Sequence, residues 1–210
     1  MRMKKIDWKI LIITALLCLA PIAIGLAYYD VLPESIAIHF DINNNPDNFW
    51  SKNAFVFGMP SMMLAIQIFE CIVVDLKDKR KDANRKVVLI SKLMIPILTT
   101  VLYAVTIGYA LGNMLDIRKI VMCILGVMFI IIGNYTPKTK GNIFMKGFKV
   151  EDEFLQTKVS KLIGYMLIIN GLLAIGSVFL KPIFSIMLIL LLVIEVLTLQ
   201  IWVYLKERKK

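Results

Sequence analysis

One histidine and three cysteines are all the imidazole and thiol chemistry that 210 residues contain. Cys18, Cys71 and Cys123 each stand alone inside an apolar run. That spacing supplies neither a disulfide framework nor a thiolate metal site, and a lone cysteine in such a run reads as a small packing residue. His39 is the single histidine, and Asp41 and Asp47 beside it do not complete the three or four ligands that zinc needs. A Walker loop, a dinucleotide-type glycine fingerprint, a His-Glu-x-x-His pair and a nucleophile elbow are all missing. No Ser–His or Cys–His pair forms a catalytic constellation, so an enzyme is the least supported class and no cofactor is expected.

Apolar residues take the space instead. They make up 59% of the chain, with a mean hydropathy of +0.75, against roughly 45–50% in soluble domains. They gather in runs near the ~20 residues a helix needs to cross a bilayer. The runs predict an all-α polytopic membrane protein, one membrane domain over residues 1–210, with about six spans at 10–29, 54–74, 93–112, 118–134, 162–180 and 183–205. Helices are expected because backbone groups in lipid must be satisfied within the segment, and the unbroken runs contradict a barrel. The first run follows Arg2, Lys4, Lys5 and Lys9 but exceeds a signal-peptide core and lacks an Ala-x-Ala-like cleavage site, so it reads as a retained span. Pro21, Pro60 and Pro96 read as kinks, and Gly108 with Gly112 as a GxxxG packing motif.

The formal charge of +10 has a topological reading. The N-terminus carries 4 Lys and Arg, residues 75–92 carry 7, residues 135–161 carry 6 and the tail carries 4, which is 21 of the 25. Only Lys52, Arg118, Lys119 and Lys181 fall on the other side. The positive-inside rule then predicts both termini in the cytoplasm. Basic loops also suit an anionic inner leaflet, so the expected partner is the lipid bilayer and not nucleic acid.

The first outer loop, 30–53, has the most pattern outside the spans. Ile36, Ile38, Phe40 and Ile42 occupy alternate positions, the signature of a half-buried extended segment. Asn43-Asn44-Asn45-Pro46-Asp47 follows as a turn, and Phe49 and Trp50 sit where aromatics meet the interface. A loop of this kind folds back onto the bilayer or the helix ends. His39 within it reads as a residue with hydrogen-bonding work.

Two acids lie inside apolar runs. Glu195, near mid-span, faces either a functional polar path or a hydrogen-bonding neighbour such as Asn170 or Gln67. Glu70, about one turn from the cytoplasmic end of its span, is placed to reach water.

The stretch Leu32-Pro33-Glu34-Ser35-Ile36-Ala37-Ile38-His39-Phe40, with Asn43 to Asp47 and Lys52 after it, resembles an outer-loop domain of many bacterial membrane proteins. Gly133-Asn134-Tyr135-Thr136-Pro137-Lys138-Thr139-Lys140-Gly141-Asn142 resembles the G-N-x-x-P-K-x-K-x-N segment of the SdpI-like immunity proteins. In this chain Ala37 stands for a second proline and Asn44 for a turn glycine. The family's later R-T-P-W-T type motif has no counterpart in residues 147–161. The resemblance implies a bacterial cytoplasmic-membrane protein giving immunity to a secreted toxic peptide, and signalling to a cytoplasmic regulator. It assigns contacts to Leu32, Pro33, His39, Phe40, Pro46 and Asp47 outside, and to Asn134, Pro137, Lys138, Lys140 and Asn142 inside. Lys138 and Lys140 are equally suited to lipid phosphates. The runner-up reading is a small transporter or transporter subunit using Glu195.

Overall fold

The computed structural model describes residues 6–77, 85–138 and 153–208. The chain is a polytopic helical membrane protein, and among the described residues six helices are long and apolar enough to span: Trp8–Ala27, Ala54–Leu76, Val88–Ala110, Ile117–Tyr135, Phe154–Ser177 and Ile183–Lys206. A two-stranded antiparallel sheet interrupts the first loop. The elements run α1 (Trp8–Leu19), α2 (Pro21–Ala27), β1 (Ser35–Phe40), β2 (Pro46–Ser51), α3 (Met59–Lys77), α4 (Arg85–Ala110), α5 (Ile117–Tyr135), α6 (Glu153–Ser177) and α7 (Ile183–Arg208). Two helices begin earlier than their apolar runs suggest: α4 at Arg85 and not 93, α6 at Glu153 and not 162. Both extensions mix charged with apolar residues, and part of each is buried: Lys92 in α4, and Val159 and Ser160 in α6.

The packing divides into two compact units, residues 1–80 with 88–117, and residues 81–87 with 118–210. In the first, prolines set the geometry. Each removes the helical donor to the carbonyl four residues earlier. Pro21 opens α2 directly behind α1. Pro60 follows a π-helical turn, Ala54–Gly58, and the carbonyl of Val56 that it deprives accepts a bond from the Tyr103 hydroxyl at 3.3 Å. Pro96 lies inside α4, and the Lys92 carbonyl accepts from Gln67 Nε2 at 2.9 Å. Tyr103 is fully buried and stacks on Phe55, with centroids 4.7 Å apart. Leu32, Ile36, Val56 and Ile107 close this core.

The second unit holds α5 and α6 together through glycines at matching heptad positions. Gly126 faces Gly171 and Gly133 faces Gly164: a Cβ on any of the four would lie 2.6–2.8 Å from the carbonyl oxygen opposite. Backbones this close need bare glycine on both helices. The expected GxxxG does not work this way. Gly112 has φ +89 just past the end of α4, and Gly108 faces Leu115 and Asn113 of the following loop. At the end of this unit, Arg118 donates to the Ser177 carbonyl (3.4 Å) and to Ser185 Oγ (3.1 Å), joining α5, α6 and α7.

Candidate functional site

The hairpin is built from its turn outward. Asp41 Oδ1 accepts from the backbone N–H groups of Asn43 and Asn45, both at 2.8 Å, and Asn45 Nδ2 donates to Oδ2 at 3.1 Å. These donors, Asn45 first, hold the Asp41 carboxyl below its ordinary range. Asn44 takes φ +66, the left-handed region that asparagine tolerates best after glycine. The turn is therefore residues 41–45; Pro46 and Asp47, expected within it, begin β2. Pairing runs Ser35 to Ser51, Ile36 to Trp50 and Ala37 to Phe49, then shifts twice before Phe40 meets Pro46. The two faces do not alternate strictly: Ala37 is buried like Ile36, while Ile38 is only half-buried.

Three residues, Asn44, Phe40 and Lys52, dock the hairpin. Asn44 Nδ2 donates to the Leu115 carbonyl at 3.0 Å and Asn44 Oδ1 accepts from the Ile117 N–H at 2.8 Å, so one side chain tethers the tip to the loop between α4 and α5. Phe40 meets the Tyr109 ring edge-on at 4.7 Å. Lys52 closes the base: it pairs with Glu34 at 2.8 Å, donates to the Leu32 carbonyl at 3.2 Å and lies 4.8 Å over the Tyr29 ring. The Glu34 contact holds its ammonium above the ordinary lysine range. Tyr29 in turn donates to Asn53.

The other face is open. His39 Nδ1 and Asp47 Oδ1 lie 2.5 Å apart across the strands, with side chains 66% and 46% exposed. Phe49, two residues along β2 from Asp47, is 49% exposed, and Pro33 is also exposed. The outer candidates therefore sort by role. Leu32 is core and Phe40 docks the hairpin, while Pro33, His39 and Asp47 are available to a partner. Pro46 is half-buried at the start of β2.

The intramembrane acids have distinct surroundings. Glu195 Oε2 accepts from Asn170 Nδ2 at 2.6 Å, the partner considered from sequence. Gln67, the other candidate, belongs to the Lys92 carbonyl instead. Lys92, one of the seven basic residues of 75–92, is not a loop charge. It lies inside the third span, wholly buried, with Nζ 2.6 Å from Asp75 Oδ1. Asp75 also accepts from the Asp7 N–H at 3.0 Å. Sequence reasoning missed Asp75 and Lys92. Pro96 marks the Lys92 carbonyl, which it leaves without a helical donor, but nothing in the sequence marks the ammonium's pairing with Asp75.

Of the second motif, Asn134 is exposed near the end of α5, and Pro137 packs on Gly164 of α6. The Lys138 side chain, Lys140 and Asn142 lie outside the described residues.

The family described as a domain of unknown function, DUF1648, matches residues 16–64. That segment runs from α1 through the hairpin into α3, so the match falls on the docked loop and the helices that carry it. No curated protein and no solved structure matches the chain.

Proposed function

We propose that this chain is a bacterial cytoplasmic-membrane protein that protects its cell from a secreted toxic peptide or a related envelope stress, with the hairpin as its sensing element. One observation carries the reading: the hairpin has a docked face and an open face. Asn44, Phe40 and Lys52 fix it to the helices, while the His39–Asp47 pair and Phe49, two residues along β2 from Asp47, are exposed. A linker has no need of so many anchors. An acid, an imidazole and an aromatic ring held on a rigid base suit a peptide carrying cationic and apolar side chains. The likeness of residues 32–52 to the outer-loop domain of bacterial membrane proteins and of 133–142 to SdpI-like immunity proteins supports the same reading, and the excess of Lys and Arg on the opposite loops, which stands without Lys92, supports an outward hairpin. Signalling to a cytoplasmic regulator would run through the basic loop near Pro137.

The test is survival of a sensitive bacterium expressing the chain, challenged with purified secreted antimicrobial peptides of defined sequence. Protection against at least one, lost with the His39→Ala, Asp47→Ala double variant at unchanged abundance, is the expected result. Protection against none across a broad panel contradicts the reading.

A transport role rests on Glu195, held by Asn170 in the middle of α7. Glu195→Gln separates the two. Immunity through the hairpin survives it, because the amide still fills the site. Transport that needs the ionisable group does not.

A further inference from the structure

Gln67 and Glu70 stand one turn apart on α3, at the i, i+3 spacing that puts two side chains on one helix face. Each carries a buried oxygen with no hydrogen-bond partner, Gln67 Oε1 and Glu70 Oε2. Gln67 is wholly buried, and its other polar atom is committed to the Lys92 carbonyl and to Cys71 Sγ at 3.1 Å. Both orphan atoms are acceptors. What satisfies them must donate a hydrogen bond or carry positive charge.

The charges around them ask for the same thing. Among the described residues, the titratable groups around Glu70 are Lys92 on α4, Cys71 and Asp75 on its own helix, and Cys18 on α1. The only cation in that set is Lys92, and Asp75 holds it at 2.6 Å. Two carboxylates thus share one ammonium, so when both are ionised one negative charge is left without a counter-ion among the described residues. Such a charge is expensive at this depth and is retained where something neutralises it.

We propose that Glu70 and Gln67 form a binding site for one monovalent cation, a proton or a sodium ion, taken from the nearer membrane face. Glu70 lies six residues before Leu76, the end of its span, which is ~9 Å along a helix. From that end an ion has about two helical turns to travel and not the whole bilayer. If the ligand is a proton, the Glu70 carboxylate takes it up, and the resulting O–H donates to Gln67 Oε1, satisfying both orphans at once. If it is sodium, both oxygens ligate it directly and water completes the shell. The site is independent of the hairpin and of the immunity reading.

The experiment uses the full chain in phospholipid nanodiscs with two probes. Radioactive sodium binding tests the metal-ion arm, and infrared difference spectra across a pH titration test the proton arm through the carbonyl band of a protonated acid. The expected result is one bound cation by one probe, with occupancy falling at least about tenfold in Glu70→Gln, the ratio equivalent to 1.4 kcal/mol. Asp75→Asn is the decisive second variant. It frees Lys92 to neutralise Glu70, so cation binding is lost although both proposed ligands remain. A purely structural role for Asp75 would lower abundance without moving occupancy per folded molecule. Binding retained by either variant, or no signal from wild-type protein with either probe, overturns the proposal. If Glu70→Gln does not accumulate, Asp75→Asn decides alone.

Discussion

The Gln67 side-chain amide donates to the Lys92 carbonyl at 2.9 Å, and that carbonyl is the one Pro96 leaves without a helical donor. The gap that proline leaves in one helix's hydrogen-bond ladder is thus filled by a side chain from another, as a membrane interior requires of any freed backbone group. Tyr103 does the same for Val56 and Pro60 at the hairpin end of this unit.

A double-mutant cycle follows from this pair. Gln67→Leu strands the carbonyl and should cost about 1–3 kcal/mol. In a Pro96→Ala background, α4 regains its own N–H, and the same substitution should cost less by about 1 kcal/mol or more. Unfolding of the purified protein by a denaturing detergent measures both. Equal costs in the two backgrounds would mean the contact does not serve that gap.

The glycine pairs predict a sharp positional contrast. Gly133→Val or Gly171→Val forces α5 and α6 apart and should cost about 1–3 kcal/mol. Gly176, also on α6, has nothing within 4 Å of a Cβ. Gly176→Val should stay within about 0.5 kcal/mol of wild type. Similar stability loss at all three positions would contradict the close approach.

The spans were legible because apolar runs of bilayer length admit few readings, and β1 showed in the alternation from Ile36 to Ile42. The strand β2 was not legible. Pro46-Asp47-Asn48-Phe49-Trp50-Ser51 has no alternating pattern and is extended because β1 pairs with it. The glycine pairs escaped for a related reason, since a seven-residue spacing on two separate helices gains meaning only when the helices meet. Lys92 escaped because a lysine at the edge of an apolar run looks like a loop charge until Asp75, seventeen residues earlier, is brought against it.

The hairpin turn should loosen in acid. The Asp41 carboxyl sits below its ordinary value of 3.8 because it accepts from Asn45 and Asn43 as an anion. A depressed carboxyl contributes stability above its unfolded value and loses it as pH falls through the folded one. Hydrogen exchange at the Asn43 and Asn45 amides should therefore stay slow from neutrality down to the ordinary value, after correction for intrinsic rates, and quicken below it. Asp41→Asn should remove the pH dependence. Unchanged protection in strong acid would show that the carboxylate does not hold the turn.

Topology has its own test. In a cysteine-free background, single cysteines at 41, 47 and 116 should react with an impermeant reagent on intact cells. Those at 80, 140 and 208 should react only after permeabilisation. Outside labelling at 140 would overturn the six-span, inward-termini arrangement.

The most direct test of the hairpin as sensor compares its two faces in one assay, survival against a protecting peptide alongside membrane abundance. Substitutions on the docked face, Phe40→Ser and Asn44→Ala, should lower protection and abundance together, because they release the hairpin from Tyr109 and from the loop at Leu115. Substitutions on the open face, His39→Ala with Asp47→Ala or Phe49→Ser, should abolish protection while abundance stays at the wild-type level. Full protection by the open-face variants would contradict the account, because those side chains would then have no partner to meet.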